Sequence, residues 1–143
     1  MQFELLTLGG VKWRGEAASV QLTTFDGQMG ILPHHEPLVA ALKGGPVTVR
    51  PAHGEAQVFA TYGGLLEITP EHVRVLADEA DLAEGLIESE IEAALAEAKR
   101  LRDAAKDKHE LAEAEALVDR AQVRLGVARL VRHHRPRPER PGQ

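Results

Sequence analysis

The first half of the chain alternates apolar and polar residues with a period of two. Ala18, Val20 and Leu22 are separated by single polar residues, a pattern that buries one face of a β-strand and leaves the other in water. Short apolar runs recur at 3–8, 29–32, 47–49, 58–62, 65–68 and 73–76, with Gly, Pro or Asp-Gly between them. Turns every ~8 to 12 residues predict an antiparallel β-sandwich or barrel of about eight to ten strands.

One stretch of this half departs from the alternation. Residues 36–42 are entered through Pro33 and Pro37 and are followed by Gly44-Gly45, and proline fits the first turn of a helix. The stretch is the one helical candidate that we find before residue 82, and we expect at most a single turn there.

From residue 82 onward the apolar period becomes that of an α-helix. Apolar residues step by four and three along two segments, first at Ile87, Ile91, Ala94, Ala98 and Leu101, then at Leu111, Ala114, Val118, Ala121, Leu125 and Ala128. Both segments predict amphipathic helices. The mostly charged residues 103–108 separate them, and so short a connection makes the helices antiparallel neighbours. The second half is therefore predicted to be a helical hairpin.

The charges support this hairpin. An antiparallel pair sets four acidic residues beside four basic ones, namely Glu84, Glu88, Glu92 and Glu97 beside Arg120, Arg124, Arg129 and Arg132. Each exposed pair contributes about 0.2 to 1 kcal/mol. The apolar seam is largely alanine, which buries little surface. We expect an arm that is marginally stable alone and able to leave its base.

Composition divides the chain at the same place. Val, Ile, Thr, Gly and Pro are spread through the first 81 residues, whereas Ala, Glu, Arg and Leu dominate afterwards. The net charge is -5, yet residues 120–143 carry 7 basic residues against 1 acidic. We predict a β-sandwich domain at 1–81, a helical arm at 82–132 and a disordered, basic, proline-rich tail at 133–143.

Several function classes are disfavoured. The chain has no Cys, hence no disulfide and no thiolate metal site. It lacks a basic leader and an apolar run of ~18 residues, so we expect a soluble, unprocessed protein. No glycine-rich phosphate loop or nucleophile motif is present. A basic-tailed nucleic-acid adaptor would need aromatic stacking platforms that the tail lacks. We predict no catalytic residue, no cofactor and no enzymatic activity.

The most reactive-looking cluster is His34-His35-Glu36. Adjacent side chains diverge on a strand, and the other histidines lie in predicted turns, the hinge or the tail, so three ligands are not expected to converge. We predict no metal site. A free-standing small-molecule or metal-binding β domain with a helical interaction arm, centred on His34 and His35, stays open as an alternative.

Three blocks carry a family resemblance. Residues 27–43, GQMGILPHHEPLVAALK, resemble the signature of the epsilon subunit of F-type ATP synthases, which usually reads G-E-x-G-x-x-P-x-H-x-P-x-x-x-x-[LI]-K. Residues 63–70 and 73–78, GGLLEITP and VRVLAD, resemble that family's G-G-x-x-E-V-x-P and V-T-V-L-A-D. Residues 120–128 resemble the R-A-x-x-R-L-x-V-A of its last helix. The resemblance covers residues 2–131.

This resemblance implies a non-catalytic rotor subunit of the proton-translocating synthase. Its β-sandwich would bind the gamma subunit and the membrane-embedded ring, at the cytoplasmic face of the cell inner membrane and peripheral to it. Its helical arm would either dock down or extend toward the catalytic alpha and beta subunits, where it would inhibit ATP hydrolysis.

The resemblance also implies interaction residues. The loop of Asp26, Gly27, Gln28 and Met29 would face the ring and gamma, with His35 at the motif's histidine. Gln28 stands where the family usually has a carboxylate, and His34 and Glu36 replace small residues. On the second helix, the regulatory candidates are Arg120, Arg124, Arg129 and Arg132.

ATP binding is a separate question. Some bacterial members bind ATP through an I/L-D-x-x-R-A motif in the first helix and arginines on the second. Arg120 and Arg124 match those arginines, but the motif's own arginine falls on Glu90. A carboxylate there would repel a triphosphate at close range. We predict weak or no ATP binding.

Overall fold

The computed structural model describes residues 1–134 and Gly142. Nine strands come first: β1 (Gln2–Thr7), β2 (Gly10–Thr24), β3 (Gly27–Ile31), β4 (Leu38–Leu42), β5 (Gly45–Pro51), β6 (Gln57–Thr61), β7 (Gly64–Ile68), β8 (Val73–Ala77) and β9 (Ala80–Leu82). A short 3₁₀ helix (Ala83–Gly85) then leads to α1 (Glu88–Asp103) and α2 (Lys108–His134). The predicted fold class, a β-sandwich followed by a two-helix hairpin, is confirmed.

Strand β2 holds the sandwich together, because it belongs to both layers. Its first half pairs with β1, and its second half pairs with β3 and β5. The register shifts between Ala17 and Ser19, and such a bulge lets a long strand bend. The inward side chains of both layers form one core, in which Phe3, Leu5 and Val20 are fully buried.

Two details of the β half differ from expectation. The stretch at 36–42 is not a helical turn: Leu38–Leu42 forms β4 and pairs with β7 along its whole length. Sheet pairing therefore outweighs the local proline signal. The sheet is also not purely antiparallel, since β1 and β8 run parallel. These two strands are far apart in sequence. The strands between them bring the chain back to the end at which β1 starts, so no helical crossover is needed.

The helix boundaries differ from those that the periodicity suggested, because α1 begins after residue 87 and α2 begins at Lys108, three residues before Leu111. Leu82 still belongs to β9 and Glu84 lies in the 3₁₀ helix, so α1 starts at Glu88. The Asp107 side chain accepts a hydrogen bond from the Glu110 N–H at 2.8 Å, while the Glu110 side chain accepts one from the Lys106 N–H at 2.9 Å. This reciprocal pattern resembles a capping box and fixes the start of α2.

Only part of the predicted seam lies between the helices. On α2 the expected positions are buried except Leu111. On α1, Ile91 and Ala98 are buried, whereas Ala94, Leu101 and the preceding residue Ile87 are exposed. The sandwich as well as the partner helix covers α2, which explains why α2 buries more positions than α1. Helix α2 is described as far as His134; the rest of the predicted tail, apart from Gly142, lies outside the described residues.

Candidate functional site

The arm lies against the sandwich through a small apolar cluster. Val127 of α2 is 2% exposed and packs with Ala60 of β6 and Ala83 of the 3₁₀ helix. Further apolar side chains around this cluster are partly buried, namely Val58, Tyr62, Leu86, Val123 and Val131. Because these side chains are short or only partly covered, the contact buries far less than the core of the sandwich does.

Polar contacts surround this cluster, and the chain's only tyrosine is at their centre. The Tyr62 hydroxyl donates a hydrogen bond to Asp81 Oδ2 at 2.5 Å and accepts one from Arg124 Nε at 2.7 Å. Arg124 also pairs with Asp81, with 3.2 Å between Nη2 and Oδ2. One turn earlier, Arg120 Nη1 donates to Glu79 Oε2 at 2.8 Å. Each guanidinium carbon lies 5.4 Å from the centroid of the Tyr62 ring, within cation–π range.

The structure thus corrects the predicted charge pairing at two of the four arginines. Arg129 and Arg132 contact Glu92 and Glu88 of α1, as the antiparallel arrangement predicts. Arg120 and Arg124 instead contact the sandwich. Of the expected acidic partners, Glu97 pairs within its own helix with Arg100. The periodicity of the hairpin carries no information about which strand lies beneath α2, so Glu79 and Asp81 could not be predicted as partners.

Burial and hydrogen bonding alter the acidity of this cluster. Burial raises the pKa of Tyr62 from 10.0 to about 12, helped by its hydrogen bond to Asp81 and opposed by Arg124. The hydrogen bond to Tyr62 in turn raises the pKa of Arg124 above its usual value. The phenol is therefore neutral and the guanidinium charged at any physiological pH, so both hydrogen bonds are available.

A surface cleft of about 610 Å³ adjoins the cluster, between α2 and the turn before β5. Lys43, Gly44 and Arg120 contribute to its walls. Both arginines that match the ATP-binding pattern already contact carboxylates here, and Glu90 is exposed on α1. A triphosphate would have to displace those carboxylates before the arginines could bind it.

The predicted ring-facing loop is the tight turn between β2 and β3. Thr24 Oγ1 donates to the Gly27 carbonyl oxygen and accepts from the Asp26 N–H, and Gly27 has a φ of +123° that favours glycine. Asp26, Gly27 and Gln28 are exposed, whereas Met29 is partly buried against the core. Phe25, which our sequence reasoning did not single out, is 72% exposed at this tip. An aromatic residue directly before an Asp-Gly turn was the available signal.

The histidines of the β half make separate contacts. His35 is partly buried in the loop before β4, with its Nδ1 2.8 Å from the Glu36 carbonyl oxygen. His34 beside it is exposed, with a φ of +69°, and His72 pairs with Glu67 at 2.8 Å. Among residues 1–134 and Gly142, no three His, Asp or Glu side chains are placed to hold a metal ion.

The outer face of one sheet layer carries an apolar row that crosses five strands. Strand register aligns its members from β4 through β7, β8 and β1 to β2: Ala41, Leu65, Leu76, Leu6 and Val11. Leu65, Leu76 and Val11 are each at least 41% exposed. A ladder of alternating charge lies beside the row, formed by Arg14, Glu4, Arg74 and Glu67. An exposed apolar row with a charged border is typical of a protein-binding surface.

Comparison with known proteins gives a consistent result. Residues 1–83 match the family model described as ATP synthase, Delta/Epsilon chain, beta-sandwich domain. The chain is 41% identical over 113 residues to the ATP synthase epsilon chain of Stenotrophomonas maltophilia (strain K279a), covering 79% of this chain and 81% of the relative. It is 36% identical over 130 residues to that of Chloroflexus aggregans, covering 91% and 93%.

Solved structures share the fold. One is a chain of the Euglena gracilis mitochondrial ATP synthase, with a TM-score of 0.75 at 21% identity, covering 92% of this chain and 80% of that one. Another is from the central stalk and c-ring of the Tetrahymena thermophila mitochondrial ATP synthase, with a TM-score of 0.65 at 13% identity, covering 90% and 96%. At such identities the likeness shows the fold alone. Neither α1 nor α2, as far as the structure describes them, has the length and apolar composition of a membrane-spanning segment.

Proposed function

The chain belongs to the ATP synthase Delta/Epsilon chain family, and we propose that it works as the epsilon-type rotor subunit that couples gamma to the membrane ring. It is a non-catalytic subunit of a membrane-associated complex. The observation that carries the proposal is the likeness to an ATP synthase epsilon chain over 130 residues, because that match includes the arm as well as the sandwich.

The sandwich supplies two candidate binding surfaces. The apolar row fits a large, lasting contact, because such contacts have an apolar centre and a polar rim; we assign it to gamma. The turn between β2 and β3, with Phe25, Asp26, Gly27, Gln28 and Met29, is assigned to the ring. His35 lies in the loop that leads into β4, at the end of that strand away from Ala41. On this assignment the protein sits at the cytoplasmic face of the cell membrane without entering it.

The arm supplies the regulation. In the docked position, Arg120 and Arg124 contact carboxylates of the sandwich, while Arg129 and Arg132 contact α1. An extended arm would exchange these contacts for acidic surfaces on the catalytic subunits and restrain ATP hydrolysis. We place the division between sandwich and arm after β9. Because Arg120 and Arg124 are engaged and Glu90 is acidic, we expect weak or no ATP binding; micromolar affinity in isothermal titration calorimetry would contradict this.

Co-purification with gamma tests the rotor assignment. Tagged wild-type chain should retain gamma, and Leu76→Glu should lose most of it, because a charge in the middle of the apolar row is desolvated on binding. Leu101→Glu is the matched control, since Leu101 is 40% exposed on the arm and away from the row. Failure of the wild-type chain to retain gamma would refute the assignment.

Truncation tests the regulatory role. A chain that ends at Leu86 keeps every strand and the 3₁₀ helix. Synthase assembled with it should make ATP at nearly the wild-type rate but hydrolyse ATP faster. Unchanged hydrolysis would remove the inhibitory role and leave the rotor assignment intact.

A further inference from the structure

The contact between α2 and the sandwich combines two different spacings. Arg120 and Arg124 are four residues apart in an α-helix, which separates them by about 6 Å along the axis. Glu79 directly precedes β9 and Asp81 lies within it, and an extended chain separates two such residues by about 6.6 Å. The two separations match. Each arginine therefore meets its own carboxylate, at 2.8 Å for Arg120 and 3.2 Å for Arg124.

The apolar contact beneath these pairs does not define one position for α2. Its three helix residues are Val123, Val127 and Val131, which are identical and repeat every four residues. A slide of α2 by one turn would place one valine where another had been. The arginine pairs respond differently, because the same slide would leave one arginine and one carboxylate unmatched.

We propose that Arg120–Glu79 and Arg124–Asp81, joined through Tyr62, form a latch that holds the arm docked and sets its register on the sandwich. The proposal rests on the proposed function only in supposing that the arm leaves the sandwich. The latch is well suited to release. Its charged groups are partly exposed, with side-chain exposures of 41% and 50% in one pair and 37% and 38% in the other, so water can replace each contact at small cost.

Release can be measured on the intact, isolated chain. The chain has no Cys, and Val127 is buried by the sandwich, so a thiol introduced by Val127→Cys reacts with iodoacetamide only when the arm undocks. Adding Arg124→Gln should raise the alkylation rate about three- to tenfold. Adding Arg129→Gln should change it less than about twofold, because within the described residues Arg129 pairs with the arm's own glutamates. Equal rates for the two variants would overturn the latch.

Exchanging the charges of Arg124 and Asp81 distinguishes the loss of this specific ion pair from a general loss of structure. Asp81→Arg alone and Arg124→Asp alone should each accelerate alkylation more than Arg124→Gln does, since each juxtaposes like charges. The double variant should return most of the way to the starting rate. No recovery would overturn the proposal, provided that the fluorescence of Trp13, the single tryptophan, shows a folded sandwich in all three variants.

The register of α2 on the sandwich can be measured by disulfide formation with a cysteine introduced by Gly44→Cys. A Cβ at position 44 would lie 3.3 Å from Val123 Cγ2. In the latched chain it should pair with Val123→Cys and not with Val127→Cys. With Arg120→Gln and Arg124→Gln together, the yield with Val127→Cys should rise relative to that with Val123→Cys. An unchanged preference would overturn the register claim. None of these measurements involves the synthase, so their outcome is independent of gamma binding.

Discussion

A side chain at Gly44 would touch Val123: a Cβ built on the glycine lies 3.3 Å from Val123 Cγ2. The turn before β5 and the middle of α2 are thus in contact when the arm is docked. Gly44 does not have the positive φ that restricts a position to glycine, so the turn accepts a substitution. This relationship offers a covalent lock on the arm in a chain without native Cys.

We expect oxidised Gly44→Cys/Val123→Cys protein to keep its arm docked. A synthase assembled with it should hydrolyse ATP at the rate of the arm-truncated enzyme, because a locked arm cannot reach the catalytic subunits. Reduction with dithiothreitol should restore inhibition. Each single variant, treated with the same oxidant, should behave as wild type. Full inhibition in the oxidised double variant would mean that the docked arm itself inhibits.

The ionisation of Tyr62 should report docking by ultraviolet absorbance, because the chain has one tyrosine. Its pKa is raised to about 12 in the docked chain from 10.0. A raised pKa means that the neutral phenol stabilises the docked state below pH 10 and that this contribution is lost as the pH rises toward about 12. The truncated chain should titrate closer to 10, since removal of α2 exposes the ring.

The same titration gives opposite results for two states of Arg124→Gln. If the arm releases, burial is lost and the pKa of Tyr62 falls toward 10. If the arm stays docked, the pKa rises beyond its wild-type value, because the cation that favours the phenolate is gone. We expect the fall. Trp13 fluorescence over the same pH range checks that the sandwich remains folded.

Much of this architecture follows from periodicity, and what does not follow has a physical reason. The alternation predicts the strands, and the steps of four and three predict the helices, because local burial patterns are properties of each element. The parallel pairing of β1 with β8, the strand at Leu38–Leu42 and the partners of Arg120 and Arg124 depend on which elements meet in space. A single sequence carries little information on such long-range pairings. Exposed Phe25 and the apolar row were missed for a related reason: strand register, rather than spacing along the chain, brings the row together.

Gly64 should be the least replaceable glycine of the sandwich. It has a φ of +151°, and a Cβ there would overlap the carbonyl oxygen of Leu76 and lie 2.9 Å from Ala77 Cα. Both obstacles are backbone of the paired strand β8, which cannot move aside without breaking the ladder. Gly64→Ala should destabilise the sandwich by about 2 kcal/mol or more, measured as the loss of Trp13 signal in urea.

Gly126 provides the matched control with the opposite sign. It lies within α2 and has no positive φ, and no described atom beyond the adjoining helix backbone lies within 4 Å of a Cβ built there. Alanine favours a helix over glycine by about 0.5 to 1 kcal/mol. Gly126→Ala should therefore raise the thermal stability of the arm, followed by circular dichroism, and leave the urea midpoint of Trp13 unchanged. Similar destabilisation by both substitutions would contradict the steric account of Gly64.

We expect Phe25 to contribute to binding of the membrane ring. The phenyl side chain of Phe25 is 72% exposed at the tip of a tight turn, so it contributes nothing to the core. It provides a rigid apolar contact if a partner covers it. Phe25→Ser should therefore leave the urea midpoint of Trp13 and the recovery of gamma unchanged, while lowering the amount of ring that co-purifies with the assembled stalk. Leu117→Ser, at a position 49% exposed on α2, removes comparable apolar surface from the arm and should not affect ring recovery. Equal losses for the two variants would point to general surface hydrophobicity, whereas undiminished ring recovery with Phe25→Ser would exclude the β2–β3 turn as the ring contact.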